Sequence, residues 1–107
     1  MINRALELFE AVPRKHNCAQ AVACGCGREE LYGELSVCGG GKAEGGVCGA
    51  LHAAMRMVPE TERKNVAEEF VTGLGSAKCR ELKLVHRVSC ARCVEAGAEL
   101  AEKYRED

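Results

Sequence analysis

The sequence predicts an all-α fold, a small bundle of about four to five short helices with a Gly-rich loop that bears cysteine. Three observations lead there. The chain has two Phe, two Tyr and no Trp, so Ala, Val, Leu, Met and Cys must fill the core, which favours close-packed helices over an aromatic-rich sheet. Apolar residues recur at helical spacing in successive segments, and Gly, Pro and capping residues punctuate them. At 107 residues the chain is one domain, residues 1–107, long enough for an apolar core but not for two.

The first element spans residues 2–12, where Ile2, Ala5, Leu6, Phe9 and Val12 form an apolar stripe opposite Arg4, Glu7 and Glu10, and Pro13 ends the run. Next comes Asn17-Cys18-Ala19-Gln20. Asn17 can cap a helix while Gln20 bonds back to the cap residue, which puts Cys18 in the first turn. This helix carries Ala21 and Val22 and ends near Gly25, with Cys24 and Cys26 at its exit as a C-x-C pair that either ligates metal, shuttles redox equivalents or is incidental. Residues 27–37 read as a short turn or a broken helix ending at Ser36.

The stretch from Cys38 to Leu51, CGGGKAEGGVCGAL, is the main clue to function. Its glycines allow positive φ and close backbone approach to whatever the sulfurs hold. It runs into a helix over 47–58 that carries Val47, Leu51, Ala54, Met55 and Val58, and Pro59 closes it. Cys48 then falls in a first turn, where unpaired N–H groups and the helix dipole favour a thiolate. His52 shares a face with Cys48 and so can share a metal, although a lone helical His is more often a surface or hydrogen-bonded residue.

Thr61 can cap a fourth helix with Val66, Ala67, Phe70, Val71 and Leu74 on its apolar face, terminated by Gly73 and Gly75. Beyond that break, a loop or a fresh helical turn aims Cys79 inward. Leu82, Leu84, Val85 and Val88 fit either a short helix or an extended piece. The last helix starts at Ser89, a good N-cap, and places Cys90 and Cys93 side by side in its first turns, while Gly97 and the alanines admit a close neighbour. A C-x-x-C at a helix start suits a redox dithiol and two ligands of one metal equally well.

Composition narrows the function. With 15 basic and 16 acidic residues mixed along the chain there is no stripe for nucleic acid and no cationic face for a membrane. No apolar run approaches a bilayer span, and MINRALELFEAV reads as an amphipathic helix rather than a signal peptide, so a soluble cytoplasmic protein is expected. Eight cysteines in a reducing compartment argue for metal ligation or working thiols rather than a disulfide framework.

Taken together, Asn17-Cys18-Ala19-Gln20, the Gly-rich run into Cys48-Gly49-Ala50, the lone Cys79, and Cys90 ahead of Val94 resemble the small bacterial and archaeal family labelled C_GCAxxG_C_C. The resemblance covers nearly the whole chain. It implies a helical, redox-active protein, and relatives joined to haem domains imply an iron–sulfur cluster on the family's cysteines, which fall here on Cys18, Cys48, Cys79 and Cys90. Ala53 stands where the signature's last glycine is expected, and Cys24, Cys26, Cys38 and Cys93 are additional to it.

The leading expectation is thus a cysteine-ligated iron–sulfur site in an electron-carrying module that meets redox partner proteins. Cys18, Cys48, Cys79 and one or both of Cys90 and Cys93 would be its ligands, with Gly39, Gly40, Gly41, Gly45, Gly46 and Gly49 as close backbone donors. A second expectation is a thiol–disulfide oxidoreductase in which Cys90 attacks and Cys93 or Cys48 resolves the mixed disulfide, although the chain lacks the βαβ alternation of thioredoxin-like proteins. A structural zinc site is the third and a disulfide-stapled interaction domain the fourth. No hydrolytic constellation is present. Cysteines in excess of one cluster suggest ligands shared across the two-fold axis of a homodimer.

Overall fold

The computed structural model describes residues 2–11, 16–37 and 46–104. Among them are six α-helices, three short 3-10 turns and no strand, so the all-α expectation holds. Helix α1 is Ile2–Glu10 and presses Ala5 and Phe9 into the core. Val12 and Pro13, expected to close it, lie outside the described residues.

Helix α2, Cys18–Gly25, is the central element, and all eight of its residues are buried. Its start is the reciprocal cap that its sequence encodes. Asn17 Oδ1 accepts from the Gln20 N–H at 2.8 Å, and Gln20 Oε1 accepts from the Asn17 N–H at 2.9 Å. The same two side chains also tie down the next segment. Gln20 Nε2 donates to the Tyr32 carbonyl at 2.9 Å, and Asn17 Nδ2 donates to the Leu35 carbonyl at 3.0 Å. Residues 27–37 accordingly form two 3-10 turns, Glu29–Leu31 and Glu34–Val37, laid over the start of α2.

Helix α3, Gly49–Met57, starts later than expected, because Cys48 is its N-cap rather than a first-turn residue. A 3-10 turn at Glu60–Glu62 leads into α4, Arg63–Leu74. Thr61, expected to cap α4, lies inside that turn, and Glu62 holds the cap position without a side-chain bond. Val66, Phe70 and Leu74 are buried as expected, whereas Val71 is on the exposed side. Gly75 ends the helix in the left-handed region at φ 103°, and Gly73 remains helical.

Residues 79–84 are helical, which settles the open choice for that segment: α5 is Cys79–Leu84. Helix α6, Cys90–Tyr104, is capped as its sequence suggests, with Ser89 Oγ accepting from the Arg92 N–H at 3.1 Å. Helices α1, α3 and α6 pack around α2, and α4 lies against α3 and α6. Gly97 is where α6 meets α3, since a Cβ there would stand 2.8 Å from the Ala50 carbonyl oxygen. No helix of the described residues is long and apolar enough to cross a membrane.

Candidate functional site

Four helices begin at one place. Cys18 is the first residue of α2, Cys48 the N-cap of α3, Cys79 the first residue of α5, and Cys90 and Cys93 lie in the first turns of α6. Together with Leu82 and Lys83 these five cysteines line a cavity of about 20 Å³. That volume exceeds the ~10–15 Å³ needed by one water-sized guest, but not by much.

Local bonds explain the convergence. The Asn17–Gln20 cap sets Cys18. An isolated bridge joins Val47 to Lys78, and the Cys48 N–H donates to the Ala77 carbonyl at 2.8 Å, so α3 and α5 start side by side. After α5 the Val88 N–H donates to the Leu82 carbonyl at 2.8 Å, which turns the chain back toward Ser89 and α6.

The thiols are ordered by hydrogen bonds. Cys18 donates to the Cys48 sulfur, which favours charge there, but Cys48 donates onward to Cys93. That second bond, burial and the charge of Cys93 outweigh the first, and Cys48 is pushed up to about 12. Cys93 is held below the ordinary thiol range by the bond that it accepts from Cys48, against the burial that opposes it. The sequence expectation that a helix start favours a Cys48 thiolate is therefore corrected. Burial and a better-placed neighbour outweigh a dipole effect worth about 0.3–1 kcal/mol.

Sequence reasoning overlooked Lys83. It stands one turn after Cys79, on the same side of α5, and its ammonium bonds to the Cys90 sulfur; that bond raises the lysine above its ordinary range. The C-x-x-x-K spacing was legible, but only once residues 79–84 are known to be helical.

The other candidates fall elsewhere. Cys24 lines a separate cleft with Arg4, Leu8, His16, Glu29 and Tyr32, and Cys26 is buried in the core. His52 is half-buried and does not line the thiol cavity; its backbone N–H donates to the Cys48 carbonyl. Gly49 opens α3 beside Cys48 and Gly46 holds φ 73°, but neither lines the cavity. Cys38, Gly39, Gly40, Gly41 and Gly45 lie outside the described residues. None of the seven described cysteines is in a disulfide. As they stand, with thiols bonded to one another, no three His, Cys, Asp or Glu side chains of the described residues are disposed as ligands around one ion.

Fold and site together define a small all-α protein built around a five-thiol cavity. No family model matches the chain, and neither a curated protein nor a solved structure shows significant similarity to it.

Proposed function

We propose that this cavity is a cysteine-ligated iron–sulfur centre and that the protein acts in electron transfer, as the resemblance to the C_GCAxxG_C_C family implies. The observation that supports the reading is the convergence of four helix N-termini, with five thiols, on one small cavity. The chemistry of the donors suits the group, and the sulfurs would move apart to surround it. Thiolates are the soft ligands that iron–sulfur centres take, and positive helix ends offset the negative charge that deprotonated thiols bring.

Cys18, Cys48, Cys79 and one or both of Cys90 and Cys93 would hold the group. When bound, such a group supplies one-electron chemistry. The chain's own contribution is to exclude water, because Cys18, Cys48, Cys79 and Cys93 are all buried, and to place the Lys83 cation beside Cys90. Every thiol that ligates must give up its proton on loading, Cys48 against the largest resistance, so affinity rises with pH.

A single zinc ion is the second reading, favoured by the cavity's volume of about 20 Å³. A cluster would enter only with the sulfurs spread further apart. The dithiol reading is less well supported, because the thiol held below its ordinary range, Cys93, is buried away from an incoming disulfide.

The test is an absorption spectrum of protein purified without oxygen, with iron, sulfide and zinc measured per chain. Brown protein with stoichiometric iron and sulfide, bleached by dithionite, is expected. Zinc without sulfide would establish the second reading, and colourless metal-free protein would overturn both.

A further inference from the structure

The end of α5 and the turn after it form a surface that the cavity does not account for. Leu84 and Val85 are 70% and 68% exposed, well beyond Tyr32 and Val71, the other exposed large hydrophobics of the described residues. Charge is segregated around them. Residues 78–87 contain four basic side chains (Lys78, Arg80, Lys83, Arg87) and one acid, Glu81, for a net +3, so with −1 overall the rest of the chain carries −4.

Glu81 is engaged by Ser76 Oγ at 2.7 Å, and among the described residues Lys78, Arg80 and Arg87 pair with no carboxylate. Arg87 occupies the left-handed region at φ 54°, in the turn that the Val88-to-Leu82 bond closes. Through that turn and the Lys83–Cys90 contact the surface reaches the cavity mouth at Cys90, the half-buried member of the five thiols.

We propose that this surface docks an acidic redox protein, one that presents carboxylates around a small apolar centre, at the mouth of the thiol cavity. The proposal rests on the electron-transfer reading above. Transient electron-transfer contacts bury little area, typically below ~1,200 Å², which a two-residue apolar centre with a charged rim suits. A net +3 concentrated in residues 78–87 steers an acidic partner toward this surface during the encounter and raises the on-rate.

The experiment uses the full chain, purified without oxygen, flowed over two immobilised acidic probes, a plant-type ferredoxin and a flavodoxin, with basic cytochrome c as control. Binding to at least one acidic probe and not to cytochrome c is expected, weakening by about tenfold or more between ~20 and ~200 mM salt. Arg87→Glu and Leu84→Ser/Val85→Ser should each weaken it by about fivefold or more, whereas Lys64→Glu on α4, the same change of net charge, should not. Circular dichroism checks that the variants remain folded.

Failure of both acidic probes at low salt would overturn the proposal, as would equal sensitivity to Lys64→Glu. Displacement of the probe by a single-stranded oligonucleotide, or concentration-dependent self-association lost in the Leu84/Val85 variant, would instead assign the surface to nucleic acid or to a second copy. Iron content is read on the same sample. Iron-free protein that still binds retains the docking surface and loses the cluster, and iron-loaded protein that does not bind does the reverse.

Discussion

Replacing Gly97 by alanine should destabilise the protein, and the magnitude follows from what the new methyl group meets. Its Cβ would stand 2.8 Å from the Ala50 carbonyl oxygen, 3.1 Å from the Ala50 carbonyl carbon and 3.2 Å from the Ala50 Cβ. The obstacle is mainly backbone of α3, so it cannot swing aside as a side-chain tip does; the two helices must separate. Overpacking of this kind costs about 1–3 kcal/mol, and alanine's better helix propensity returns about 0.8–1 kcal/mol. With a backbone obstacle the cost lies in the upper half of its range. The net loss is then about 1–2 kcal/mol, or roughly 4–16 °C in Tm for a domain of this size.

Gly73→Ala is the matched control. Gly73 is also helical, in α4, but nothing lies within 4 Å of its added Cβ, so the same substitution should stabilise by about 0.5–1 kcal/mol. The assay is urea unfolding of both variants without metal, so that binding does not enter the balance. Because Ala50 lies two residues after Cys48 and Gly97 four after Cys93, the Gly97 variant should also hold less metal. Effects of the same sign in the two variants, or a Gly97→Ala protein as stable as the parent, would refute the close helix contact.

Asn17→Ala removes the α2 cap and its bonds to the Leu35 and Ser36 carbonyls; a loss of about 1–2 kcal/mol is expected in the urea midpoint. Cys18→Ser, Cys48→Ser and Cys79→Ser should each lose most bound metal by elemental analysis, whereas Cys24→Ser, which lies on the other cleft, should retain it. In metal-free protein, ultraviolet thiolate titration should show Cys93 ionising below the ordinary range, and Cys48→Ala should move it upward by removing the bond donated to Cys93. Cys48, raised to about 12 from 9.0, contributes stability that is present below pH 9 and lost as pH climbs toward 12. Cys93 has the opposite sign, since its contribution is present above the ordinary thiol range and lost as pH falls through its lowered value. Alkaline unfolding should therefore shift in Cys48→Ala, and the pH dependence of stability below the ordinary thiol range in Cys93→Ala.

Most of the helices, and the placing of Cys18 and Cys90 at helix starts, were legible in the chain alone, whereas α5 was not, because its residues fit a helix or an extended piece equally well. Asn17 and Gln20 cap α2, Ser89 caps α6, and period and glycine breaks outline α3 and α4, because caps and apolar spacing are interactions among residues a few positions apart. The exact start of α3 and the turn at Glu60–Glu62 were not, since no side chain caps either. Nor did spacing choose among eight cysteines. The C-x-C pair with Cys24 was as open to metal as the lone Cys79, yet of the two only Cys79 reaches the cavity, because the Val47–Lys78 bridge and the Val88–Leu82 bond fold α5 against the starts of α3 and α6. The proton order among the thiols was likewise beyond the sequence. A helix start favours charge on each cysteine by a similar small amount, so burial and hydrogen bonds between residues some 30 or more positions apart, Cys18 to Cys48 to Cys93, decide which one keeps its proton.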